Sequence, residues 1–213
     1  MFEDCGWVVE KMIKAIIFDI GGVMASENNL KDHYEPLCKA LKIDKKEFFR
    51  LRDKYVSKSA CGKISGKEMI KKFAKELNIN YGFLLKNWIK YKIKSIRKNI
   101  KLEKIIKRLK KNGYRIASLS NVLDIHYELC NKKHIYDVFD FNIVSFKEGI
   151  SKPDKRIYKL LLKKLKMKGK EVVFIDDYQI CLDGAKKLGI TTILFKNNKQ
   201  LAKDLKKFGV KVR

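Results

Sequence analysis

A chain of 213 residues that is 46% hydrophobic can bury the core of one domain with a modest insertion, which excludes a disordered tail. Lysine and arginine total 50 against 24 acids, a net charge of +26, but only seven of the 50 are arginine and the lysines recur in nearly every amphipathic segment; the charge therefore reads as a solvated lysine-rich surface, with nucleic acid an unlikely partner. No apolar run approaches the ~18 residues that cross a bilayer, and the start MFEDCGWVVEK is acidic and lacks a signal core, so no membrane is expected and the implied location is cytoplasmic.

In chain order, residues 13–18 read as a buried strand, apolar and β-branched, closed by Asp19 and the pair Gly21-Gly22. From about 28 to 112 no strand is expected. Helical periodicity runs through Tyr34, Leu37 and Leu41, then Phe48, Leu51 and Tyr55, then Met69, Ile70, Phe73 and Leu77, then Phe83, Leu84, Trp88 and Tyr91. Gly62, Gly66, Asn80 and Gly82 punctuate these helices. A further helix on Leu102, Ile105, Ile106 and Leu109 ends at Asn112-Gly113 with lysines in its last turn. Beyond Tyr114, strands are expected at 115–119, 141–145, 171–175 and 191–195, with helices between them, notably 155–165 and 182–188. Strand and helix in alternation with short links signify a parallel sheet covered on both faces, and the first strand must join it to find a partner. The helical block is then an insertion after strand one. The five cysteines, Cys5, Cys38, Cys61, Cys130 and Cys181, stand singly and read mostly as buried free thiols, and His33, His126 and His134 read as surface or core residues.

An open parallel sheet binds ligands outside the carboxyl ends of its strands. Asp19 stands at the end of the first strand, Ser120 and Asn121 at the end of the next, and Asp176 and Asp177 after 171–175; Lys152 precedes Pro153 at the start of a helix. Taken singly, each has a bland reading as a cap or turn residue. Together they form one polar set. Three carboxylates at one edge repel each other unless a cation holds them, and hard oxygen ligands without histidine or thiolate suit Mg²⁺. Lysine and serine add donors for phosphate oxygens, and an aspartate can attack phosphorus, so the chemistry indicated is phosphoryl transfer through the enzyme.

The stretches FDIGGV, LSN, KPD and FIDD, in that order and at strand ends, resemble the four motifs of the haloacid dehalogenase-like (HAD) superfamily of hydrolases. GKISGKE at 62–68, SFKEGISKPDKRIY at 145–158 and FIDDYQICLDGAKKLGI at 174–190 resemble the branch whose helical cap follows the first motif. The resemblance implies an α/β fold, a three-layer Rossmann-like parallel sheet core of residues 12–27 and 100–213 with an inserted all-helical cap domain at 28–99, and leaves 1–11 as an N-terminal extension. It further implies Asp19 as nucleophile and metal ligand and Lys152 as a catalytic group pairing with Asp19 and phosphate. Ser120 and Asn121 would be substrate-binding, and Asp176, Asp177 and the carbonyl of Gly21 would join Asp19 on Mg²⁺.

Phosphatases of this superfamily usually carry a second aspartate two residues after the nucleophile, for proton transfer to the leaving group. Here that position is Gly21, and positioned proton transfer is typically worth ~10² to 10⁴ in rate. The expected function is a Mg²⁺-dependent phosphatase acting on a small phosphorylated metabolite through an aspartyl phosphate, with the helical insertion closing over the substrate. The alternative is a non-catalytic phosphate-binding or interaction protein that kept the site and lost turnover with Gly21. A dehalogenase does not require Mg²⁺ and fits the acids and Lys152 less well.

Overall fold

The computed structural model describes residues 13–26 and 30–212. The extension expected at 1–11, Cys5 and the side chain of His33 lie outside what is described.

The sheet is built from β1 (Ala15–Phe18), β4 (Arg115–Ser120), β5 (Phe141–Val144), β6 (Val172–Asp176) and β7 (Thr191–Leu194), in the order β5-β4-β1-β6-β7, with every pairing parallel. β1 is central, and its burial on both faces is why its sequence is an unbroken apolar run. Successive side chains alternate between the two faces. Ile16 and Phe18 point into one core with Leu102, Ile106 and Leu109 of α5 (Ile100–Lys111), Leu129 of α6 (Asp124–Lys132) and Leu201 and Leu205 of α10 (Asn198–Lys207). Ala15 and Ile17 point into a second core with Ile157 and Leu161 of α8 (Lys155–Leu165) and Leu182 and Ala185 of α9 (Gln179–Lys186). Helices thus cover both faces, and the sheet order reverses its direction of growth at β1.

The inserted helices are α1 (Leu30–Leu41), α2 (Lys45–Ala60), α3 (Gly66–Glu76) and α4 (Tyr81–Ser95). Asp44, Ser65 and Asn80 cap the starts of α2, α3 and α4 with side-chain oxygens, and at α3 Glu68 returns the bond to the Ser65 N–H. Their apolar stripes meet in a third core around Phe48, Phe73, Leu84 and Trp88, whose rings pack in tilted and edge-on pairs at centroid distances of 5.6–5.7 Å. Leu123 and Ile125, from the loop after β4 and the start of α6, complete that core, and Asp124 between them accepts a hydrogen bond from the Gly66 N–H at 2.7 Å. The helical layer is therefore packed onto the sheet unit beside the strand ends.

One expectation is corrected. Between residues 28 and 112, read as free of strands, β3 (Arg97–Lys98) pairs antiparallel with β2 (Ala25–Ser26). Two residues are too few to show alternation in a sequence; the ladder forms because the chain leaves the sheet unit and returns to it side by side. Asn99 fastens the crossing, its N–H donating to Met24 O and its Nδ2 to Val23 O while its Oδ1 caps α5. The helices at α6 and α10 were not singled out by the sequence, and β6 extends one residue further than expected, through Asp176. Among the described cysteines, Cys38, Cys61, Cys130 and Cys181 are free thiols, three of them buried. No helix among the described residues is long and apolar enough to cross a membrane.

Candidate active site

Parallel strands all end on one side, so the expected residues meet there. Asp19 leaves the end of β1 with its N–H bonded to Ile175 O at 2.8 Å, which ties it to the neighbouring strand end that carries Asp176 and Asp177. Lys152, in the loop before α8, is buried and reaches across to both acids: its Nζ lies 2.8 Å from Asp19 Oδ1 and 2.6 Å from Asp176 Oδ2. The other Asp176 oxygen accepts the Tyr178 N–H at 2.8 Å, which fixes the carboxylate. Burial, opposed by Lys152 and reinforced by the Asp176 charge, pushes the Asp19 carboxyl up to about 7. Burial also works against the Lys152 ammonium, but the charges of Asp19 and Asp176 outweigh it and hold the amine above its ordinary value. Lys152 is therefore a fixed cation.

Asn121 follows β4 and faces this lysine. Its Nδ2 donates to Lys152 O and its Oδ1 accepts the Lys152 N–H, both at 2.8 Å, so its amide is spent on the lysine backbone. Ser120 is the buried last residue of β4, and Ser120 and Asn121 both line a cavity beside the acids.

Asp19, Asp176 and Asp177 each offer an oxygen, and these oxygens lie within 4.8 Å of one another. Oxygens around an octahedral Mg²⁺ with bonds of about 2.1 Å lie about 3–4 Å apart, so small adjustments would close the set on such an ion, and the donors are all hard. The two glycines nearby differ. Gly22 has φ +71°, and a Cβ there would fall 2.0 Å from Asp177 Oδ2, so glycine is what lets this acid approach. Gly21 has no left-handed φ, and a Cβ there would meet nothing within 4 Å. Neither the backbone at 21 nor the space for a Cβ there requires glycine.

Two cavities adjoin the strand ends. The larger, about 600 Å³, holds Asp19, Lys152, Asp176 and Asp177; the other, about 360 Å³, runs from Gly21 and Ser120 beneath the helical layer to Tyr34 and Lys92. Arg52 of α2 lines both. Arg52 and Lys92 were not among the expected site residues, and His126, read as a surface or core residue, is buried and also lines the smaller cavity. One signal was available for Arg52, as one of seven arginines among 43 lysines.

The model of the haloacid dehalogenase-like hydrolases matches residues 13–189, which include every residue of this site. The chain belongs to that family. Solved HAD structures share its fold: a predicted HAD-like hydrolase of Porphyromonas gingivalis superposes with a TM-score of 0.74 at 19% identity over 94% of this chain and 99% of that one. A HAD family enzyme of Bacteroides thetaiotaomicron, solved with magnesium and inorganic phosphate, superposes with a TM-score of 0.68 at 20% identity over 89% of this chain and 98% of that one. Among curated relatives, the bifunctional epoxide hydrolase 2 of Sus scrofa is 44% identical over 69 residues, 32% of this chain; the chain spans 12% of that protein's length. A glyceraldehyde 3-phosphate phosphatase of Pyrococcus furiosus is 32% identical over 48% of this chain and 43% of its own, and the sesquiterpene phosphatase astK of Aspergillus oryzae is 24% identical over 77% and 80%.

Proposed function

We propose that this HAD hydrolase is a Mg²⁺-dependent phosphatase that cleaves a small phosphorylated metabolite through an aspartyl phosphate on Asp19. The observation that carries the reading is the Lys152 ammonium held between Asp19 and Asp176 at the sheet's switch point, within one cavity that also holds Asp177. Bound Mg²⁺, held by Asp19, Asp177, the Gly21 carbonyl and the Lys152-anchored Asp176, would neutralise charge on the phosphoryl oxygens. Asp19 attacks phosphorus as its Oδ–P bond forms and the ester P–O bond breaks, the alcohol leaving with a proton taken from solvent; water then attacks the phosphorus of the acyl phosphate, releasing inorganic phosphate and restoring the Asp19 carboxylate. Lys152 opposes the burial that raises the Asp19 carboxyl, favouring the ionised form that attacks, and faces the phosphate with a fixed positive charge. The Ser120 hydroxyl binds a phosphoryl oxygen, and Asn121 acts by holding Lys152 in place. The helices α1–α4 form the cap that limits water at the site. Supporting the reading, phosphatases stand among the relatives and a neighbour of the same fold binds magnesium and phosphate.

A second reading has its own observation. The carboxylates lining the two cavities, among the described residues, are Asp19, Asp176 and Asp177, so none is left to protonate a leaving group where Gly21 stands. On this reading the chain binds phosphorylated ligands without turnover. A screen of phosphorylated metabolites and p-nitrophenyl phosphate, with Mg²⁺ and with chelator, separates the two: Mg²⁺-dependent phosphate release supports the phosphatase, and its absence across the screen together with ligand binding supports the second reading.

A further inference from the structure

The larger cavity is charged in its depth and apolar at its mouth. Asp19, Lys152 and Asp176 are buried, whereas Tyr178 and Ile180, which line the same cavity, are 48% and 61% exposed. Large apolar side chains left this open number five among the described residues, and two of the five stand in the short stretch after Asp177. Neither joins the core that α9 makes through Leu182 and Ala185, so the fold itself does not use them. A single exposed apolar side chain needs no explanation, but two on the wall of one cavity lie where a bound ligand would cover them. The rest of that wall offers little to a hydroxyl-rich group. Asn121 spends its amide on the Lys152 backbone, Gly21, Gly22 and Pro153 bring no polar side chain, and the Cys181 thiol behaves as a small apolar group. Apart from the acids and Lys152, the polar groups left are the Tyr178 hydroxyl and Arg52, whose Nη1 donates to Asp53 Oδ1 at 2.9 Å.

We infer that the organic part of the substrate is an apolar aliphatic chain, which lies over Tyr178 and Ile180 while its phosphate sits at Asp19 and Lys152. The inference rests on the phosphatase reading and narrows its substrate class to phosphate esters of aliphatic alcohols. The gain comes from area taken from water: a fully covered methylene is worth about fourfold in affinity and a half-covered one about twofold.

Matched esters test it with the full chain and Mg²⁺. Hexyl phosphate and 5-hydroxypentyl phosphate have equal length and leaving groups of nearly equal basicity, so their ratio reads the polarity at the far end and is blind to the missing acid at position 21. Hexyl phosphate should exceed 5-hydroxypentyl phosphate about tenfold in kcat/KM, and ethyl phosphate by at least as much. Ile180→Ser, at an exposed position, and the double variant with Tyr178→Ser should bring the first ratio below about threefold, and Ile180→Leu should keep it; any loss common to both esters cancels. Calorimetry with hexylphosphonate and 5-hydroxypentylphosphonate, whose C–P bond is not cleaved, gives the same preference without turnover. A ratio under about fivefold in the wild type, or a full ratio kept by the double variant, overturns the apolar rim and leaves the phosphatase reading standing. So does a dimer that Ile180→Ser dissociates in sedimentation with the ratio unchanged, which would give the patch to a second copy of the chain. If no ester is turned over, the phosphatase reading fails, and the phosphonates alone decide: a preference of about tenfold upholds the rim and equal affinities overturn it.

Discussion

The side-chain amide of Asn121 closes on both backbone groups of Lys152, donating to its carbonyl and accepting its N–H at 2.8 Å each. The lysine that spans Asp19 and Asp176 is thereby aimed from two ends, by its ion pairs and by its backbone. Asn121→Ala removes the second anchor and keeps every charge. It should lower kcat by about ten- to a hundredfold, the typical cost of a misplaced group, with little change in Mg²⁺ affinity. Steady-state kinetics beside a Mg²⁺ titration checks this, and a loss confined to KM would mean that Asn121 touches substrate instead.

Asp19→Asn should abolish phosphatase turnover, by more than about 10³-fold, because an amide keeps the shape and cannot attack phosphorus. The fold should persist, since the amide keeps the shape and Asp176 still pairs with the buried Lys152 ammonium. Activity within tenfold of wild type would exclude Asp19 as nucleophile.

Mg²⁺ should raise the melting temperature, because the folded state alone gathers Asp19, Asp176 and Asp177. At a hundredfold excess over Kd the gain is about 2.7 kcal/mol, or about 5–10 °C for a chain of this size. Asp177→Ala should remove the shift. Gly22→Ala should do nearly the same, because its Cβ would displace the Asp177 carboxylate, and should further cost about 1–2 kcal/mol for the left-handed backbone. A full shift in either variant would place the ion elsewhere.

Gly21 yields the opposite expectation. A Cβ there meets no atom within 4 Å and the φ is not left-handed, so Gly21→Asp and Gly21→Asn should both melt close to wild type. Only the aspartate can transfer a proton, and it should raise turnover of poor leaving groups such as sugar phosphates, bounded by ~10² to 10⁴, with little gain on p-nitrophenyl phosphate. Equal effects of the two substitutions would reject the missing-acid account.

The Asp19 carboxyl, pushed up to about 7 in the metal-free site, binds a proton that Mg²⁺ must displace. A raised carboxyl is protonated below its pKa, so Mg²⁺ affinity should fall about tenfold per pH unit below about 7 and level off above it. Calorimetry in buffers of differing ionisation enthalpy measures the proton released. Affinity constant between pH 5.5 and 7 would show that Asp19 is already ionised.

The sequence by itself determined the sheet and the contents of its edge. Apolar runs such as AIIF and VVFI leave no face for water, parallel strands must end on one side, and so Asp19, Ser120, Asp176 and Asp177 had to meet wherever those runs ended, whereas Lys152 is brought to them by the loop before α8. The stripes of α2 to α4 were equally legible, because their caps and periodicity are local. The tertiary structure decided what depends on contacts between distant segments. FDIGGV does not say which glycine is obligatory; the left-handed φ and the approach of Asp177 make it Gly22 and leave position 21 open. Nor does LSN say that Asn121 is spent on a backbone 31 residues away. Arg52 and Lys92 look like two more cations on amphipathic helices until α2 and α4 fold over the strand ends, because which charges share a cavity is set by helix packing, and no local periodicity records it.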